Sequence, residues 1–179
     1  MTEYLFPDNT VLCNFACVNR LDLLRSVLRG RGRWTASVAY EASRSARLLT
    51  PLYRLPDEGW LGEPIEITDE GEIQRIERIR RAVFGGSVDR PTQHLGEAET
   101  CFLIKEWPWL RDAWWITDDG EALRHARFQG ITTRETIDLL ATAVVDGELA
   151  EQAAYALMQR MADEGRALRL PKSPNEFRR

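Results

Sequence analysis

Two adjacent carboxylates, Asp118 and Asp119, follow the apolar run of residues 113–116 and Thr117. A short apolar run bounded by turn residues is typical of a strand covered on both faces, and residues 121–129 have the apolar spacing of a helix. Carboxylates at the carboxyl end of such a strand project into the crevice where open α/β sheets bind ligands. The alternative is that both acids only begin a helix, where negative charge complements the helix dipole.

Other acids stand at comparable positions in the chain. Asp8 follows a short apolar segment, Glu41 lies near the start of a predicted helix, and Glu97 begins another, with Glu99 as the alternative to Glu97. In a chain that alternates strands and helices, such positions meet at one edge of a parallel sheet. Carboxylates brought together repel each other unless a divalent cation neutralises them. Mg²⁺ or Mn²⁺, which prefer oxygen ligands, would be the natural occupant.

The fold that would position these acids is a three-layer α/β/α sandwich with a short, mostly parallel central sheet of about four or five strands. Residues 5–6 and 114–116 are expected to be neighbouring strands near its centre, and residues 34–36 form a further strand candidate. The chain is predicted to be a single domain over residues 1–170. The tail 171–179 is predicted to be flexible.

Helix starts follow from capping residues. Asn9 or Thr10 is expected to cap the first helix, and Ser37 to cap the helix that carries Glu41. Later in the chain, Thr132 and Glu135 have the spacing of a capping box for the next helix.

The composition is that of an ordinary globular protein. The chain has 179 residues, of which 44% are hydrophobic and 29% charged, enough for a core without disulfides. The three cysteines lack a zinc-ligand spacing and indicate small core residues in a reducing compartment. No stretch has the length of a membrane span, and the N-terminus lacks a signal-peptide pattern. We therefore expect a soluble, cytoplasmic protein with no membrane partner.

The formal net charge of −4 argues against nucleic-acid binding through bulk charge. Binding would need a local basic patch, and one candidate patch surrounds Gly30 and Gly32. It consists of Arg25, Arg29, Arg31 and Arg33. We interpret these arginines as candidate RNA-binding residues beside the acidic pocket, and the arginines of residues 75–81 as a solvated helix face.

Four stretches of the chain resemble the acidic motifs of the PIN-domain ribonucleases, best known as the VapC-type toxins of bacterial toxin–antitoxin pairs. The stretches are residues 6–12 (FPDNTVL), 37–41 (SVAYE), 95–99 (LGEAE) and 116–119 (ITDD). The third looks like the Gly-Glu-Ala-Glu variant of the family's third acidic motif. Their order is that of the family, and with the helix that follows they extend from Phe6 to Gly130.

The resemblance implies a PIN-like fold and a divalent-metal-dependent endoribonuclease, in which one or two Mg²⁺ or Mn²⁺ ions activate a water to attack an RNA phosphodiester bond. The implied metal ligands, which are also the implied catalytic residues, are Asp8, Glu41, Glu97 and Asp118 or Asp119. Thr10 and Thr117 would hydrogen-bond the carboxylates or a metal-bound water. The other interpretation of these threonines is a helix cap and a strand residue.

The resemblance also implies partners: an RNA substrate, a small antitoxin that inserts a side chain near the carboxylates, and a second copy of the chain in a homodimer. The main alternative is a catalytically inactive PIN-like module that binds RNA or protein, which a test of metal-dependent nuclease activity would distinguish. A phosphatase with Asp8 as nucleophile is disfavoured, because Thr10 occupies the place of the second acid. His94 and His125 are too isolated to indicate a catalytic triad.

Overall fold

A computed structural model describes residues 3–178 of the chain. Within that range the chain forms a mixed α/β fold with three strands and nine α-helices. The strands are β1 (Leu5–Pro7), β2 (Trp114–Ile116) and β3 (Thr132–Arg134). The helices are α1 (Asn9–Cys17), α2 (Leu21–Leu28), α3 (Ala36–Ser45), α4 (Leu55–Glu58), α5 (Glu70–Ala82), α6 (Leu95–Glu106), α7 (Gly120–Phe128), α8 (Thr136–Val145) and α9 (Glu151–Asp163).

The sheet is short and parallel. Its order is β1-β2-β3, with Leu5 opposite Trp114 and Trp114 opposite Thr132. The predicted pairing of the first strand with residues 114–116 is therefore confirmed. Over residues 3–178 the sheet has three strands rather than the four or five expected.

Two single parallel bridges continue the sheet beyond β1, from Leu5 to Gly32 and from Thr35 to Ile65. The predicted strand 34–36 does not form because Thr35 caps a helix and Ala36 is already the first residue of α3. In the described part of the chain, Gly32 thus pairs with β1, and Ile65 pairs with Thr35 one position further out.

The order of the extended segments reverses beside β1. After β1 the chain passes to one side, through residue 32 and then residue 65, and later returns to the other side for β2 and β3. Such a reversal between neighbouring parallel strands is a topological switch point, where the connecting segments diverge and leave a crevice at the carboxyl ends of the strands. The crevice lies where β1 and β2 end.

Helices cover both faces of the sheet. Leu5 and Ile116 belong to a core that includes α1, α2, α3, α8 and α9. Phe6 and Trp115 point to the other face, into a core that includes α5, α6 and α7. This alternation follows from the period of two along a strand, and the arrangement is compatible with the predicted α/β/α sandwich.

Several predicted helix starts are wrong by one to three residues. Asp8, and not Asn9 or Thr10, caps α1, because its side chain accepts a hydrogen bond from the backbone nitrogen of Val11. Thr35, and not Ser37, caps α3 in the same way. The short polar side chains that actually cap these helices lie at the end of extended segments, where the chain changes direction.

The predicted capping box of Thr132 and Glu135 is also wrong. Glu135 is the cap residue of α8 and its box partner is Asp138, whereas Thr132 belongs to β3. The β-branched residues 131–133 favour a strand, so Thr132 lies in β3 and the helix begins only after it.

The C-terminal segment packs on the domain. Residues Pro174–Arg178 form a 3₁₀ helix, and Phe177 is fully buried in the core shared with α8 and α9. The flexible tail expected from residue 171 is therefore not what the described part of this segment shows, because burial of one aromatic side chain anchors it. Arg179 lies outside the described residues. No helix within residues 3–178 is long and apolar enough to cross a membrane.

Candidate functional site

Asp8 lies at the carboxyl end of β1 and is only 6% exposed. Its Oδ1 accepts hydrogen bonds from the Thr10 hydroxyl (2.6 Å) and from the backbone nitrogen of Val11 (3.0 Å), and its Oδ2 accepts one from the Thr117 hydroxyl. Burial raises the pKa of Asp8 to about 7, although these hydrogen bonds lower it. Both threonines thus bind the carboxylate directly.

Asp118 lies beside Asp8, at the carboxyl end of β2. Its Oδ2 accepts hydrogen bonds from the side chains of Asn14 (2.8 Å) and Thr136 (2.5 Å), and its Oδ1 accepts one from the backbone nitrogen of Thr136 (3.0 Å). Burial raises the pKa of Asp118, although these hydrogen bonds lower it. The negative charge of Asp118 in turn raises the pKa of Asp8, so the two carboxylates influence each other across the switch point.

Glu41 and Glu97 reach the same crevice from opposite helical layers. Glu41 lies on α3, and its Oε1 is so close to Gly96 that a Cβ there would be 3.1 Å away. Burial and then the negative charges of Glu97 and Asp8 raise the pKa of Glu41 to about 8. Three acids from β1, α3 and α6 are therefore near enough to repel one another.

The two open alternatives separate geometrically. Asp119 caps α7, because its Oδ1 accepts hydrogen bonds from the backbone nitrogens of Glu121 (2.9 Å) and Ala122 (2.8 Å). Glu99 binds the hydroxyl (2.7 Å) and backbone nitrogen (3.2 Å) of Ser37 at the start of α3. Asp118 is the member of the first pair whose charge raises the pKa of Asp8, and Glu97 raises the pKa of Glu41 more than Glu99 does.

A cleft of about 580 Å³ opens beside Glu41 and Glu97. One wall is the exposed side of α3, with Tyr40 and Arg44, and the other is the segment 89–94. His94 lies in this second wall and its Nδ1 is 3.2 Å from Oε1 of Glu97. The site therefore combines buried carboxylates with an accessible, partly basic opening.

The arginines at positions 25, 29, 31 and 33 lie away from this cleft. The backbones of Arg31 and Arg33 bond to Leu5, the first residue of β1, whereas Asp8 follows its last residue. They therefore stand at the opposite edge of the sheet, and the expectation that they lie beside the acidic pocket is wrong. Arg29 pairs with Asp146 at 2.5 Å.

Other residues of the site were missed from the sequence. Asn14 is fully buried, donates to Asp118 and accepts a hydrogen bond from Nε of Arg166 (2.8 Å). A single amide inside the apolar run of α1 was the available signal, since buried polar groups need partners. Nothing in the sequence around His94 indicates that its side chain lies beside Glu97.

The residues present fit a hard divalent cation by their chemistry, since Asp8, Glu41, Glu97 and Asp118 offer only oxygen donors. Burial is the main cause of the raised pKa values of Asp8 and Glu41, and neighbouring carboxylates add to it, so that a cation bound between them would favour the ionised forms. As the side chains stand, no three His, Cys, Asp or Glu residues within residues 3–178 are grouped closely enough to hold a metal. Binding would need these side chains to move closer together.

Fold and site together define an α/β protein with buried carboxylates at the switch point of a parallel sheet. Comparisons of the chain with protein-family models, curated proteins and solved structures gave no match.

Proposed function

We propose that the protein is a PIN-like, divalent-metal-dependent endoribonuclease whose metal ligands are Asp8, Glu41, Glu97 and Asp118. The observation that carries the proposal is the convergence of these acids at the switch point, from two neighbouring strands and both helical layers. Repulsion among buried carboxylates costs stability, and function is the usual reason to retain such a cost. A chain that needed only helix caps would have no use for Glu41 at this position.

A bound Mg²⁺ or Mn²⁺ would supply Lewis-acid polarisation of a phosphate oxygen and a water nucleophile at neutral pH. The chain's own residues do the positioning. Thr10 and Thr117 hold the Asp8 carboxylate, and Asn14 and Thr136 hold that of Asp118, so that both are oriented before a ligand arrives.

Within residues 3–178, Glu41 and Glu97 accept no hydrogen bond from a threonine or asparagine side chain, and both close the site from the side of the cleft. Because the pKa of Glu41 is about 8, this side chain carries a proton at neutral pH until a cation displaces it. Cation affinity should therefore rise with pH.

The test compares wild type with Asp8→Asn in a cleavage assay on labelled RNA of mixed sequence, with Mn²⁺, with Mg²⁺ and with EDTA. Wild type should cleave only with the metal, and Asp8→Asn should lose activity by orders of magnitude. Asp112→Asn is the matched control, because Asp112 is an exposed carboxylate at the other end of β2. Its activity should equal that of wild type.

Melting curves of the same proteins separate a metal site from a structural acid cluster. A ligand at a hundredfold excess over its Kd stabilises the folded state by about 2.7 kcal/mol, so Mn²⁺ should raise the Tm of wild type and much less that of Asp8→Asn. Without metal, Asp8→Asn should be as stable as wild type or more so, because it removes repulsion. A strongly destabilised Asp8→Asn, with no Mn²⁺ shift in either protein, would favour the inactive binding module instead.

The resemblance alone extends this proposal to a toxin of a toxin–antitoxin pair, with a small antitoxin and a homodimer as partners. Mixing the active protein with the product of a neighbouring short reading frame would test that extension, since an antitoxin should abolish cleavage.

A further inference from the structure

The cleft beside Glu41 has two cationic residues that the acid cluster does not explain. Arg44 extends from α3 and Arg90 from the opposite wall, and both side chains are exposed. Neither forms an ion pair with a carboxylate in the part of the chain that the structure describes. Asp89 is the one further acid in these walls besides Glu41 and Glu97. The lining as a whole is therefore not positive, but each of the two unpaired guanidinium groups can bind a phosphate.

Tyr40 adds an aromatic surface to the same cleft. Tyr40 is 52% exposed, and the Arg44 guanidinium lies 6.0 Å from the centre of its ring. An exposed ring with an adjacent guanidinium is the surface on which single-stranded nucleic acids stack their bases.

The position of Arg90 is fixed from beneath by Arg80. Arg80 is 1% exposed, and its guanidinium pairs with both oxygens of Glu77 (2.6 and 2.7 Å). It also donates to the backbone carbonyls of Ser87, Arg90 and Gln93, each at 3.2 Å. A buried guanidinium with this many partners holds the segment 87–93 in one conformation. The wall that carries Arg90 is therefore an ordered segment, held in place by hydrogen bonds.

The cleft also continues past Arg44. A second opening of about 530 Å³ shares Glu41 and Arg44 with the first and is lined further by Arg47 and by the exposed Leu48. Each opening has the size of a site for one small ligand, which suits successive nucleotide units of a single strand. The two openings meet at Glu41, the residue that closes the proposed metal site.

We propose that Tyr40, Arg44 and Arg90 form the substrate-binding subsite, in which the two arginines contact phosphates of single-stranded RNA and Tyr40 stacks a base. This rests on the proposed nuclease function, whose metal site it adjoins. It replaces the arginines at positions 25–33 as the RNA-binding surface, because those lie at the opposite edge of the sheet.

The test measures binding without cleavage. A fluorescently labelled single-stranded RNA of mixed sequence is titrated with the full chain in EDTA, and anisotropy is followed over a range of salt concentrations. Arg44→Gln and Arg90→Gln should each weaken binding about fivefold near 0.1 M salt. Each should also make the decrease of log K with log salt shallower, by about 0.7 in the slope. Arg25→Gln, which removes one exposed positive charge elsewhere, should change neither. Arg44→Lys and Arg90→Lys should restore the slope.

The stacking role of Tyr40 has its own pair of variants. Tyr40→Ala should weaken binding with no change in the salt slope, because it removes an uncharged contact. Tyr53→Ala is the control, since Tyr53 is exposed to a similar degree, 58%, outside both openings. Equal affinity of Tyr40→Ala and Tyr53→Ala would remove Tyr40 from the subsite.

Failure of the subsite is distinguishable from failure of the nuclease. If Arg44→Gln and Arg90→Gln bind like Arg25→Gln while wild type cleaves RNA with Mn²⁺, the subsite is wrong and the nuclease stands. If binding depends on both arginines and no metal supports cleavage, the subsite stands and the protein is a binding module. A preference for duplex over single-stranded RNA would overturn the assignment of the ligand.

Discussion

The hydroxyl of Thr117 donates a hydrogen bond to Oδ2 of Asp8, and so joins the residues that follow two neighbouring parallel strands. Thr10 and the backbone of Val11 occupy Oδ1 of the same carboxylate. Each donor favours the ionised form of Asp8, while burial favours the protonated form and outweighs them. Thr117 thus helps to keep a buried carboxylate available as a ligand.

Thr117→Val tests this relationship, because valine keeps the branched shape and removes the hydroxyl. At pH 8, where Asp8 is mostly ionised, the variant should lose about 1.5–3 kcal/mol of unfolding free energy, the usual cost of removing a hydrogen bond to a charged group. Its affinity for Mn²⁺ should fall about 10–100-fold. Urea unfolding and Mn²⁺ titration measure the two effects. Thr133→Val, a strand substitution in β3, should leave Mn²⁺ affinity unchanged; an equal loss in both variants would reject the role of Thr117.

The pH dependence of stability follows from the raised pKa values. Asp8 and Glu41 have ordinary pKa values of 3.8 and 4.5 and folded-state values of about 7 and about 8. Between these limits the folded state binds protons that the unfolded state has released, so the unfolding free energy falls as pH rises from about 4 to about 8. Without metal, the protein should therefore be more stable at pH 5 than at pH 8.

Substitution of the two acids identifies the source of that slope. Asp8→Asn and Glu41→Gln should each flatten the dependence, which urea unfolding at several pH values in EDTA would show. Asp112→Asn should keep the wild-type slope. If the wild-type protein is more stable at pH 8 than at pH 5, the pKa values of these carboxylates are not raised in the folded state.

The sequence predicts the fold best where apolar patterns are unambiguous. The run before Thr117 and the segment before Asp8 are confirmed as neighbouring parallel strands, because short apolar runs followed by acids leave few other arrangements. β3 was missed, since its residues alternate between exposed and half-buried positions and carry no apolar pattern. The docking of Phe177 was also missed, because a lone aromatic residue among polar ones shows no period.

The candidate site was predictable by residue type but not by geometry. Composition and order pointed to Asp8 and Glu41, yet only the structure separates Asp118 from Asp119, since adjacent acids point in directions set by the turn between them. The arginines near Gly30 were misplaced because a linear cluster does not tell which edge of the sheet it will occupy. Arg44 and Arg90 are far apart in sequence and become a pair only through folding.

Asp119→Ala should separate a helix cap from a metal ligand. Asp119 accepts two backbone hydrogen bonds at the start of α7, so its loss should cost about 1 kcal/mol of unfolding free energy. RNA cleavage, assayed below the reduced Tm, should stay near that of wild type. The Mn²⁺ shift in Tm should also be unchanged. Asp118→Asn should lose both metal effects, together with some stability, because its amide nitrogen would face a hydrogen-bond donor at either oxygen position. Abolished cleavage in Asp119→Ala would place Asp119 among the ligands.

The wall that carries Arg90 can be disturbed from a distance through Gly86. This glycine has no positive φ, so its backbone accepts alanine, but a Cβ there would lie 2.4 Å from Nη1 of Arg80. Arg80 is buried and held by Glu77 and three carbonyls, so it cannot move aside without losing hydrogen bonds.

Gly86→Ala should therefore cost about 1–3 kcal/mol of unfolding free energy, as overpacking does, and weaken RNA binding by displacing Arg90. Gly120→Ala is the control: a Cβ there meets nothing within 4 Å, and alanine at the first position of α7 should stabilise the protein by up to about 1 kcal/mol. Urea unfolding measures both variants, and RNA anisotropy in EDTA measures the cleft. If Gly86→Ala is as stable as wild type, Arg80 is free to shift and does not hold the wall. If it is destabilised and binds RNA with unchanged affinity, Arg90 does not depend on Arg80 for its position.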